Sequence, residues 1–98
     1  MPRYLALGRW TQQGMENIKG APARIQQWKQ QAAAKGIKIE SLVLSLGPYD
    51  AAVVAIAPND ATIAELTLAA EKQGNMKLEL MPAFNEPDFK AVVDKIAN

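Results

Sequence analysis

The stretch "IKIESLVLSLGPYDAAVVAIA", residues 37–57, decides the fold. Two apolar runs, 37–46 and 51–57, flank a Gly-Pro corner, the pattern of two antiparallel strands joined by a tight connection. A turn centred between Pro48 and Tyr49 sets Leu46 opposite Ala51, Leu44 opposite Val53 and Leu42 opposite Ala55. On the other face it pairs Ser45 with Ala52, Val43 with Val54 and Ser41 with Ile56. Residues paired across such strands share a face of the sheet. Both faces are therefore apolar or small, and both need cover.

Working outward, residues 3–9 read as a first strand. Thr11 can cap a short helical turn that Gly20 interrupts. Pro22 then suits the first turn of a longer helix, where its missing N–H costs nothing. Ile25, Trp28 and Ala32 give that helix one apolar face, and Gly36 ends it. After the hairpin, Pro58 stops the strand and Asn59 or Asp60 caps a helix that buries Ile63, Leu66 and Ala70. The alternation in "MKLELMPAF", residues 76–84, predicts a fourth strand. A last helix starts at Asn85 or Glu86, with Phe89, Val93 and Ile96 along its apolar edge. The order β-α-β-β-α-β predicts an α+β, ferredoxin-like fold: an antiparallel four-stranded sheet, two helices on one face, and a C-terminal helix. A chain of 98 residues suits a single domain over residues 1–98.

Composition narrows the chemistry. The chain has no cysteine and no histidine. Thiol nucleophiles, zinc–thiolate sites, iron–sulfur clusters and Ser-His-Asp arrangements cannot be built from it alone. The carboxylates are scattered, without the clustering of a metal site. Neither a P-loop nor a G-x-G-x-x-G run occurs, so no metal and no cofactor is expected. A net charge of +1 gives no strong field toward nucleic acid or membrane. Strand three has no aromatic on which a base could stack, as an RNA-recognition sheet requires. Residues 1–40 hold seven of the 11 Lys/Arg, and residues 41–98 hold eight of the 10 acids. That asymmetry fits basic and acidic elements packed side by side, or an acidic ligand site on the first half. No signal-like or membrane-spanning apolar run is present, and the expected location is cytoplasmic.

The double apolar face predicts assembly. The two helices cover one side of such a sheet, and monomers rarely expose large apolar patches on the other. A homodimer with sheets packed face to face, in the manner of a dimeric α/β barrel, answers this. The competing arrangement is a monomer whose terminal helix folds across the open face.

The segments "RYLALGRWTQQGMENIKGAPAR", "GPYDAAVVAIAPND" and "QGNMKLE…AF" together resemble the GYD-domain family, named for a Gly-x-Tyr-Asp motif. The resemblance covers nearly the whole chain. It implies a small prokaryotic protein of ferredoxin-like fold akin to dimeric α/β barrels, and it implies no particular reaction. The motif positions are Gly47, Tyr49 and Asp50.

Two readings of that motif follow. In the first, Pro48 and Gly47 shape a turn, and Asp50 accepts hydrogen bonds from turn N–H groups. In the second, Asp50 is a catalytic base and Tyr49 a hydrogen-bond donor at the mouth of an inter-sheet cavity. Neighbours in a strand point to opposite faces, which works against a Tyr49–Asp50 pair unless the turn re-aims one of them. Trp10 could wall a ligand pocket, with Arg9 or Arg24 pairing an anionic group, or it could be a core or interface aromatic. Trp28 reads as core. The expected function is a soluble oligomeric module that binds a small, largely apolar molecule. The alternatives are a cofactor-independent oxygenase or isomerase and a purely structural or protein-interaction module.

Overall fold

A computed structural model of the chain describes residues 1–96. Strands β1 (Arg3–Trp10), β2 (Lys38–Leu44), β3 (Ala51–Ile56) and β4 (Met76–Ala83) form one sheet in the order β2-β3-β1-β4. Every neighbouring pair is antiparallel. Helices are α1 (Gln12–Glu16), α2 (Ala21–Ala34), α3 (Asp60–Lys72) and α4 (Glu86–Val93), with a single 3₁₀ turn at Ile18–Gly20 before α2. The ferredoxin-like α+β fold with a C-terminal helix is thus observed.

Local chemistry accounts for the helix starts. The side chains of Thr11, Asn59 and Asn85 each accept from a backbone N–H in the first turn that follows, at Gly14, Thr62 and Asp88. Gly36 and Gly74 take positive φ, 75° and 83°, where α2 and α3 end.

Alternation along β3 separates two faces. Ala51, Val53 and Ala55 are buried under the helices, while Ala52, Val54 and Ile56 are half-buried on the open side. Tyr4, Ala32, Ile37, Val53, Ala55, Ala57, Ile63 and Leu66 form the core, with Trp28, Leu42 and Leu80 packed against it. No helix of the described residues is long and apolar enough to cross a membrane.

The hairpin register differs from the expected one. Leu44 pairs with Ala51, Leu42 with Val53, Val43 with Ala52 and Ser41 with Val54. The turn is centred one residue earlier, between Gly47 and Pro48, and Ser45 N–H donates to Asp50 O at 2.8 Å as the last rung. Leu46 is consequently 94% exposed instead of facing Ala51. Gly47, at φ +134°, supplies the backbone angle that fixes this centre. The slip is an even number of residues along the partner strand, so residues 41–44 keep their faces. Glu40 is an extra residue at a bulge between Ile39 and Ser41.

The terminal helix does not cover the open face. Phe89 (58%), Val92, Val93 and Ile96 (66%) stay exposed, as does Val43 in the sheet. The radius of gyration is 15.0 Å and the longest extent 53 Å, against about 13 Å for the radius of a compact domain of this length.

Candidate functional site: a cavity between sheet and helices

Small residues on the covered face of the sheet create a void. Ala6 and Gly8 of β1 and Ala51 and Ala55 of β3 all line a cavity of about 120 Å³ beneath α2 and α3. Nearest Gly8 is Met76 of β4. A Cβ on Gly8 would stand 2.7 Å from Met76 Cε, so this glycine is what lets the methionine lie across β1. Trp28 and Ile25 of α2, with Ile63 and Ala70 of α3, complete a predominantly apolar lining. The volume is of the order of the roughly 150 Å³ apolar cavity known to take up benzene.

Both tryptophans of the chain, Trp10 and Trp28, line this cavity. Arg24 joins Trp10 there, together with Gln73 and Asn75 from the end of α3 and the start of β4. Arg24 Nη1 donates to Asn17 O at 3.0 Å. Its Nη2 is buried and has no hydrogen-bond partner among the described residues.

The Gly-Pro-Tyr-Asp corner lies elsewhere and is tied to the end of β1. Asp50 N–H donates to Gly8 O at 2.7 Å, and Asp50 Oδ2 accepts from Trp10 N–H at 2.9 Å. The carboxylate thus takes over where backbone pairing between β1 and β3 stops. Arg9 Nε donates to Pro48 O at 2.7 Å, and its guanidinium lies 4.5 Å from the centre of the Tyr49 ring. Hydrogen bonding to Glu79, and that carboxylate's charge, raise the Tyr49 phenol above its ordinary pKa. Arg9 and Glu79 belong to the open face of the sheet by strand alternation. The turn has re-aimed Tyr49 to that side.

A family model for the GYD domain matches residues 4–93. The chain belongs to the GYD-domain family. A curated relative from Thermus thermophilus, named glutamine synthetase and cystathionine beta-lyase binding protein, is 29% identical over 92 residues. The match covers 93% of this chain and 97% of the relative.

In this GYD domain the motif residues Gly47, Tyr49 and Asp50 do not line the cavity. Of the candidates read from sequence, Trp10 and Arg24 come together in it, and Arg9 lies with Tyr49 at the corner. The described cavity is also within one chain, on the helix-covered face, where the expectation was a space between two sheets. Trp28, read as core from its helical spacing, packs against the core and walls the cavity as well. Gln27 and Gln31 were missed. Their signal is a polar stripe at helical spacing, Arg24–Gln27–Gln31, beside the apolar one.

Proposed function

We propose that this GYD domain is a cytosolic, homodimeric binding module whose cavity takes a small, largely apolar molecule. The observation that carries the reading is the apolar void of about 120 Å³ under α2 and α3. A ligand of matching shape would remove this apolar surface from water, and mostly apolar concave sites of this kind are where small molecules bind. The catalytic alternative, with Asp50 as base, draws no support from geometry, since Asp50 is engaged with Trp10 N–H outside the cavity.

The two tryptophans make the test direct. Toluene entering the cavity is expected to shift their emission and raise Tm. Ala51→Leu, placed in the floor at 8% exposure, is expected to abolish both effects while the domain stays folded. Unchanged emission and Tm for the wild-type chain at saturating toluene would overturn the reading.

The homodimer is supported by the open face. Leu5, Leu7, Ala52, Val54 and Met81 share that face by register and alternation. The Arg3–Glu40 pair stands toward one end and Arg9, Tyr49 and Glu79 toward the other. An apolar centre within a polar rim is the usual anatomy of an interface.

A second reading, a module that docks on other proteins, is favoured by one specific observation: the Thermus thermophilus relative carries the name of a protein that binds two enzymes. Co-purification of this chain with glutamine synthetase and with cystathionine beta-lyase tests it. Retention of neither at micromolar concentration would sink it.

A further inference from the structure

The Gly-Pro-Tyr-Asp corner and helix α4 both carry apolar surface into water, and they stand at opposite ends of the sheet. The corner lies at the Trp10 end of β1, where Asp50 is bonded to Gly8 and Trp10. The start of α4 lies at the other end, where Asp88 stands 3.7 Å from Arg3. Between those ends β1 spans about 23 Å. Leu46 at the corner is 94% exposed, and Phe89, Val92 and Val93 of α4 are exposed as well. Val93 is only about 8 Å along the helix from Asp88, well short of the corner of its own chain. Both features are on the open side of the sheet, α4 beside the Arg3–Glu40 pair and Tyr49 beside Arg9 and Glu79. Each also has one charge to spare. At the corner end, Arg9 is bound to Pro48 O, Asp50 to Trp10 N–H and Glu79 to Tyr49, while Lys77, opposite Arg9 on the open face, has no ion-pair partner among the described residues. Within α4, Asp88 faces Arg3 and Lys90 pairs with Asp94, which leaves Glu86 without one among the described residues. Glu86 heads the apolar edge, three residues before Phe89 and seven before Val93.

We propose that two copies of this chain clasp each other reciprocally: α4 of each seats its apolar edge on the partner's Gly-Pro-Tyr-Asp corner, where Glu86 meets the partner's Lys77. The proposal rests on the homodimer reading above and assigns its two ends. A two-fold axis running across the strands lays the second sheet antiparallel over the open face and brings corner and α4 together twice. Because the same contact forms at both ends, the pair closes on itself and leaves neither projection to recruit a third copy. The family motif gains a role by this arrangement. Gly47 sets the turn centre that leaves Leu46 outside the strand pairing, and Arg9 holds both Pro48 O and the Tyr49 ring. A corner fixed in advance loses little conformational freedom on docking.

The chain has no cysteine, so introduced thiols report contact without background. Full-length chains carrying Leu46→Cys are mixed with chains carrying Val93→Cys, oxidised gently and separated without reducing agent. Both positions are exposed, so neither change disturbs the core. The mixed disulfide is expected to exceed either like-with-like disulfide by about fivefold, because only closely placed Cβ atoms can be bridged. A chain carrying both substitutions is expected to give a covalent species of two copies; a closed single copy would mean that α4 reaches its own corner and would overturn the proposal. Lys77→Glu and Glu86→Lys are each expected to weaken dimerisation by about threefold, and the double variant to return within about twofold of wild type. A double variant as weak as the two single effects combined overturns the assigned contact. Disulfides in random proportion, from a wild-type chain whose light-scattering mass is two copies, overturn the clasp and leave the dimer standing. A single-copy mass for wild type overturns both, and a mass that climbs past two copies overturns the reciprocal closure.

Discussion

Gly47 and Asp50 show how much of a family motif can be structural. Gly47 sits at φ +134° with open space around its would-be Cβ, so a side chain there is opposed by backbone conformation and not by crowding. Gly47→Ala is expected to cost about 1–2 kcal/mol, read as a drop in Tm with ligand binding intact. Asp50→Ala leaves Trp10 N–H without its acceptor and is expected to cost about 1–2 kcal/mol, read in chemical denaturation. The tyrosines make a different prediction. Tyr4 OH donates to the Asp60 carboxylate, and that hydrogen bond, with burial and the carboxylate's charge, raises the Tyr4 pKa. Tyr49 is raised by Glu79. An unfolded phenol titrates at about 10. Above that pH the unfolded chain loses these protons before the folded one does, so stability is fully present below about 10 and falls as pH rises further. Tyr4→Phe and Tyr49→Phe are each expected to flatten that alkaline decline in Tm against pH.

At the scale of elements, α1 is a five-residue helix that holds only because it is pinned. Thr11 Oγ1 accepts from Gly14 N–H and donates to Gly74 O, at 3.0 and 2.6 Å, and Gln13 Nε2 donates to Gln73 O at 2.9 Å. Gly14 has the Asn75 backbone where a Cβ would go. Backbone cannot step aside as a flexible side chain can, so Gly14→Ala should push α1 off the start of β4 and break the bond from Thr11 N–H to Asn75 O, 3.1 Å long in the native fold. The expected cost is about 1–3 kcal/mol, measured as a fall in Tm. The sequence announced a capped short helix at Thr11 but not this close approach, because the partner backbone is about sixty residues away along the chain. The faces of β3, of β4 and of residues 41–44 of β2 were legible from alternation, and a register slip by an even number of residues does not disturb them; the bulge at Glu40 reverses the alternation before it and brings Ile39 opposite Ala55 on the core side.

For the whole molecule, one face of the sheet is closed by α2 and α3 and the other is open. The Arg3 guanidinium reaches Glu40 through Nε at 2.7 Å and Nη2 at 3.3 Å, joining β1 to β2 across β3 on that open side. Asp88 of α4 stands 3.7 Å from the same guanidinium, so the terminal helix leaves the body at this end. A half-buried apolar sheet centre that the helices leave open and an exposed apolar helix edge on one 10.6 kDa chain predict a light-scattering mass of two chains at micromolar concentration. Val54→Asp, in the middle of the open face, is expected to halve that mass while the helix-side core keeps its fold. A single-chain mass for wild type would remove the dimer.

By itself, the sequence determined the order of elements, the cap at Thr11, the faces of β3, of β4 and of β2 beyond its bulge, and membership of the GYD family. These depend on residues near one another in the chain and on simple periodicity. Tertiary structure alone decided where the turn is centred, which way Tyr49 points, and that a cavity exists at all. A void is the difference between two packed surfaces, and its floor comes from Ala6, Gly8, Ala51 and Ala55 on strands far apart in sequence. Each of those residues alone reads as an ordinary small strand residue, and only the sheet brings them together under a pair of tryptophans.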